Sequence, residues 1–186
     1  KVKKYMKKAW SLYYAARKSR DNVSLKSLDY FAQSLLLNME RTAKRITSIK
    51  YAFPQAKFEG ILNEKLRLLG ELIQQAKEVQ SIGSGVGIVN SFKLLYDVHI
   101  AEAKAGFGFV PKNKGKEFVA AFKKDFNTQV GEKLKQSAFL YQKEARKAIT
   151  ENSILNQNNF YFQSGKYPIK FYGMNNPLLM DRGGIR

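Results

Sequence analysis

Residues 55–80 read QAKFEGILNEKLRLLGELIQQAKEVQ, and their spacing decides what kind of chain this is. Phe58, Ile61, Leu62, Leu66, Leu69, Leu72, Ile73, Ala76 and Val79 recur every three or four positions, the period that gathers side chains onto one face of an α-helix. A half-buried strand would alternate in twos instead. Glu64, Glu71 and Glu78 repeat every seven residues and form the organised acidic row of the sequence. That row is placed to pair with a basic face of another helix, in this chain or in a neighbouring copy.

Upstream, Pro54 closes a segment in which Asp21, Asn22 and Ser24 offer N-caps. Its apolar line, Leu28, Phe31, Ala32, Leu35, Met39, Ala43, Ile46, Ile49 and Phe53, predicts one helix reaching Phe53. The opposite face carries Lys26, Arg41, Lys44 and Arg45. Residues 2–18 form a further amphipathic helix, with Val2, Tyr5, Met6, Ala9, Leu12, Tyr13 and Ala16 facing one way and Lys1, Lys3, Lys4, Lys7 and Lys8 the other. Trp10 falls on the border and Tyr14 on the basic side, where rings stand beside ammonium groups.

Downstream, Gly83-Ser84-Gly85-Val86-Gly87 breaks the pattern, and a fourth helix is expected from about Val86 to Lys104 through Val89, Phe92, Tyr96 and Ile100. Gly106-Phe107-Gly108-Phe109-Val110-Pro111, followed by Lys112, Lys114 and Lys116, reads as a loop with aromatic and basic residues interleaved. From Glu117 to Glu151 the helical period returns through Phe122, Phe126, Val130, Leu134, Ala138, Tyr141, Ala145 and Ala148, with Gly131 as the expected kink.

Residues 152–186 change character. Phe160, Tyr161, Phe162, Tyr167, Phe171 and Tyr172 surround Pro168, which excludes a central strand and suits a short hairpin or an extended arm. Such rings anchor an arm in another subunit or, with Lys166 and Lys170, stack on single-stranded bases; the arm is favoured because a lone hairpin is marginal in water. The expectation is an all-α, antiparallel bundle of four or five helices over residues 1–151, with an aromatic C-terminal hairpin or arm over 152–186.

Charge sets the functional expectation. The 186 residues hold 33 Lys+Arg against 15 Asp+Glu, a formal +18. So large a surplus repels itself unless a polyanion sits against it. At 44% hydrophobic residues the chain lies outside the disordered class. With no Cys, disulfides, thiolate catalysis and Cys-based zinc sites are excluded. No run approaches the ~18 to 20 apolar residues needed to span a bilayer, so a soluble chain is expected. It opens on Lys1, which leaves leader removal, other processing and omitted residues open.

Catalytic patterns are missing. His99, the single histidine, lies one helical turn before Glu102, but the Glu-x-x-His pairs of di-metal bundles are not present and it reads as an ordinary helix residue. The glycine stretch at 83–87 does not have the G-x-G-x-x-G spacing and follows a helix, so it reads as a turn, although its N–H groups could hold one phosphate. Gly115-Lys116 has neither the earlier Gly nor the following Ser/Thr of a P-loop.

By count the cations are 25 Lys and 8 Arg, a balance suited to neutralising phosphates rather than reading base edges. The expected polyanion-binding residues are Lys3, Lys4, Lys7, Lys8, Tyr14, Arg41, Lys44, Arg45, Lys112, Lys114 and Lys116. The expected function is a non-enzymatic, cofactor-free structural or packaging component of a virion or ribonucleoprotein, contacting nucleic acid without sequence specificity and protein subunits through the C-terminal arm. Two alternatives stand beside it: an exported envelope protein docking on anionic membrane or cell-wall polymer, and a small glycan hydrolase using paired carboxylates.

Overall fold

A computed structural model describes residues 2–19, 21–154, 159 and 162, and among them every regular element is helical. The elements are α1 (Val2–Ser19), α2 (Leu25–Ser48), α3 (Gln55–Ser81), α4 (Gly85–Gly108), α5 (Lys116–Phe126), a π-turn (Asn127–Gly131) and α6 (Glu132–Glu151).

Helix α4 has apolar residues on several sides, the mark of a helix surrounded by others. Val89, Leu95, Tyr96, Val98 and Ala103 are all buried, and α4 packs on α2, α3, α5, the π-turn and α6. Directions follow from the pairings. Arg45 near the end of α2 meets Glu64 early in α3, while Ala32 and Val79 both lie against Gly87. Gly106 abuts Phe126, the Tyr96 ring is 6.3 Å from that of Phe139, and Val89 clusters with Ala145 and Ile149. The four long rods, α2, α3, α4 and the α5–α6 rod, therefore alternate in direction, as short connections require.

Helix α1 lies outside this bundle, against the start of α2. The Trp10 ring is 4.6 Å and the Tyr13 ring 4.7 Å from Phe31, and Arg17 donates to the Ser81 carbonyl at 2.6 Å. Because α1 packs along one narrow line, the wide apolar face expected of it is not buried: Tyr5 is 70% and Leu12 60% exposed.

Three boundaries depart from the sequence expectation. Helix α2 stops at Ser48, not Phe53, because the chain turns extended at Ile49 and residues 49–54 cross the end of the bundle to bring Tyr51 and Phe53 into an aromatic cap. Helix α4 continues through Gly106 to Gly108 in place of the expected loop, because Gly106 is the flat spot on which the Phe126 ring rests. The rod over 116–151 is interrupted at the expected kink, but by a π-turn, which inserts a residue and re-aims Phe126.

The 83–87 stretch is a packing device. Gly83 takes a φ of +83°, Ser84 caps α4 by accepting from Gly87 N at 3.0 Å, and its hydroxyl donates to Asp29 Oδ1 at 2.6 Å. The Gly87 N–H, one of those a phosphate could have used, is thereby taken up by the Ser84 cap.

Candidate polyanion interface

The expected basic residues fall into three groups. Lys7 and Lys8 are exposed on α1, with Lys3 and Lys4 on the same helix. Tyr14 is 62% exposed, its ring 5.6 Å from Trp10. Arg41 and Lys44 are exposed in the last third of α2, towards the aromatic-capped end. Lys112, Lys114 and Lys116 are exposed around the start of α5, at the aromatic-capped end. The rise of about 1.5 Å per residue along α2 from Phe31 to Ser48 puts roughly 25 Å between the α1 anchor and that end. The fold thus spreads the cations along a rod and does not focus them in one pocket.

Arg45 is the member whose charge the fold already uses. It pairs with Glu64 at 2.9 Å, and Glu64 also receives Arg67 at 2.8 Å, which holds the Glu64 carboxyl below its ordinary range. The acidic row therefore does meet a basic face of a neighbouring helix, through Glu64.

The group at 112–116 has the most structure around it. Lys114 Nζ stands 5.1 Å from the centroid of the Phe118 ring and 5.9 Å from that of Phe53, within cation–π range. Gly115 precedes α5 without a side-chain cap, so the positive end of that helix adds to the lysines. Beside Lys114 a cleft of about 760 Å³ opens between α3 and α5, walled by Phe53, Phe58, Phe118, Phe122 and Phe126.

Beneath the aromatic cap lies a buried ion pair that periodicity does not disclose. Lys65 is 2% exposed, and its Nζ donates to Glu102 Oε2 and to the Ile46 carbonyl, each at 2.7 Å. The Tyr51 ring sits 5.0 Å from that ammonium and its hydroxyl donates to the same Glu102 oxygen over 3.5 Å. Burial first, then the Glu102 carboxylate, pushes the Tyr51 phenol up. Ile46 is in the last turn of α2, so Lys65 also satisfies a carbonyl at the negative end of that helix. A lysine between Glu64 and Leu66 reads as a surface residue. The available signal was its place on the helix, one turn before Leu68 and Leu69 and two before Leu72, all of them buried.

His99 and Glu102 do not act together. His99 Nδ1 bonds the Leu95 carbonyl at 2.8 Å and its ring lies 5.1 Å from Tyr141, while Glu102 is taken by Lys65. Among the described residues no group of three His, Cys, Asp or Glu side chains could hold a metal ion. Burial pulls the His99 pKa below its ordinary 6.5. Below pH 6.5 the unfolded chain therefore binds a proton that the folded one resists, so stability is full above that pH and declines as acid is added. Urea midpoints measured from about pH 7 to about pH 5 should fall, and His99→Phe should flatten the decline.

Of the C-terminal aromatics, Phe162 departs from the expected outward arm and is fully buried against Val89, Ala145, Ile149 and Ile154, its carbonyl accepting from Arg146. It fills an apolar site formed by α4, α6 and Ile154 of its own chain. Phe160, Tyr161, Tyr167, Phe171 and Tyr172 lie outside the described residues. Among the described residues no helix is long and apolar enough to cross a membrane. No protein-family model, no curated protein and no solved structure matches this chain.

Proposed function

We propose that this protein is a non-enzymatic structural or packaging component of a larger assembly, of virion or ribonucleoprotein type, that lies along nucleic acid and neutralises its phosphates without reading its sequence. One observation carries the reading: the chain bears a formal +18, and the ion pairs among its described residues engage only Arg45, Lys65, Arg67, Lys93 and Lys135. Lys7 and Lys8 on α1, Lys44 on α2 and the lysines at 112–116 are exposed along a rod whose length suits an extended polymer rather than a small anion. In this reading the segment 152–186 makes the protein contacts of the assembly, through Phe160, Tyr161, Tyr167, Phe171 and Tyr172.

Fluorescence anisotropy with a labelled single-stranded oligonucleotide tests the interface. Each phosphate contact contributes about 0.7 to the slope of log affinity against log salt, so Lys112→Ala/Lys114→Ala/Lys116→Ala should lower it by about 2. An unchanged slope in that triple variant and in Lys7→Ala/Lys8→Ala would remove both groups from the interface.

A second reading draws on α1, where Tyr5, Leu12 and Tyr14 are exposed next to Lys7 and Lys8. That combination also suits an anionic membrane surface or cell-wall polymer. Vesicles containing anionic lipid separate the two: Tyr5→Ser/Leu12→Ser abolishes flotation if α1 inserts and leaves oligonucleotide binding intact.

A further inference from the structure

We propose that the outer stripe of α1 is a stacking site for a base of a single-stranded nucleic acid, which lies on the Tyr14 ring while flanking phosphates meet Lys7 and Lys18. This site rests on the phosphate-neutralising role proposed above and adds to it a contact with the bases.

Lys7, Trp10, Tyr14 and Lys18 follow one another at intervals of three or four residues, so they share one stripe of the helix. Tyr14 is 62% exposed, and Lys7 and Lys18 are exposed on either side of it. Behind Tyr14 stands the Trp10 ring at 5.6 Å, tilted by 30°, and behind that the Phe31 ring at 4.6 Å. The buried Tyr13 adds an edge contact to Tyr14 at 5.5 Å. The Tyr14 ring is therefore held from within while most of its surface stays open, so little ordering opposes a base laid on it.

Charge selects what lands there. From Val2 to Ser19 the chain has no carboxylate, and among the described residues none pairs with Lys7, Lys8 or Lys18. Asp21, the first carboxylate of the chain, accepts from Ser19 at the end of the helix. Any polyphosphate satisfies the lysines, but only a polymer that also carries flat π-faces uses Tyr14, and every base has one. In a duplex those faces are covered by neighbouring base pairs, and exposing one costs unstacking. Tyr5 and Leu12 lie about half a turn around α1 from Tyr14, so a lipid surface that takes them leaves Tyr14 facing away.

Trp10 is the single tryptophan, so its fluorescence reports on this site. In the full chain a mixed-sequence single-stranded oligonucleotide should quench it saturably, and inorganic polyphosphate, which meets the lysines without bases, should not. Tyr14→Ala should reduce the ratio of single-strand to duplex affinity by about five- to 150-fold, the range for losing one stacked base. The salt dependence of single-strand binding should stay the same in that variant, because no phosphate contact is lost. Tyr14→Phe keeps the ring and should retain the ratio. An unchanged ratio in Tyr14→Ala, or equal quenching by polyphosphate and oligonucleotide, overturns the stacking site, while a steep salt dependence leaves phosphate neutralisation standing. No binding of either nucleic acid at low salt overturns both. Should Tyr14→Ala loosen α1, the unmodified chain decides, because absence of Trp10 quenching at saturation overturns the site. A Trp10 response to anionic vesicles with none to the oligonucleotide assigns the stripe to a membrane and overturns it as well.

Discussion

Replacing Lys65 by Met should cost the fold about 3–5 kcal/mol, because the Glu102 carboxylate is left buried without its countercharge. The loss has two parts. Glu102 is 2% exposed and keeps only the long contact from the Tyr51 hydroxyl, and the Ile46 carbonyl loses its donor at the end of α2. Removing both charges is a different experiment. Lys65→Met/Glu102→Met should recover most of the loss, since apolar residues of similar volume replace a buried pair at little net cost. Urea unfolding of the two variants gives the comparison. A single-variant loss below about 1 kcal/mol would mean that water reaches the pair and that Lys65 does not lock residues 49–54 across the bundle.

Gly106→Ala should also destabilise the fold, by less and for a steric reason. A Cβ built at Gly106 falls 1.9 Å from Phe126 Cζ, and the ring cannot withdraw because it is held among Tyr51 and Phe58 at the aromatic cap. Overpacking of this kind costs about 1–3 kcal/mol, here offset slightly by the better helix propensity of Ala. Shortening the ring separates the causes: the same substitution made in a Phe126→Leu background should cost less. Gly60→Ala is the counterpart in open space, with nothing within 4 Å of its Cβ, and should stabilise by about 0.5–1 kcal/mol. Thermal midpoints moving in opposite directions for these two glycines confirm the packing; parallel shifts would contradict it.

Much of the architecture is legible because one physical signal, apolar residues at a period near 3.6, dominates long segments of the chain. Helix α3 keeps its expected bounds to within a residue, at Gln55–Ser81, although Leu66, expected inward, is exposed and Leu68 is buried in its place, while Phe126, Leu134, Ala138 and Ala145 all point inward as their spacing implies. What stays hidden depends on contacts between distant residues. Nothing local to Lys65 announces Glu102 on another helix. Gly106 looks like a loop residue until Phe126 is seen against it. The helical wheel puts Trp10 on the border of α1, yet its ring packs on Phe31, since the position of α1 on the bundle, and not its own wheel, decides which stripe is covered. For the interface, sequence supplies the inventory of cations, while only the fold shows that Arg45 is paired with Glu64 and that the others lie in separate groups along the rod.

Neutralisation of the outward lysines by a phosphate-bearing polymer is measured most directly as the affinity of the full chain for a mixed-sequence single-stranded nucleic acid at about 50 mM and about 200 mM salt. With about six to ten phosphates engaged at about 0.7 each in the salt slope, affinity should fall by about three-hundredfold to about ten-thousandfold between the two, and by similar factors for unrelated sequences. An affinity that does not change with salt, or no binding at the lower concentration, would contradict that neutralisation.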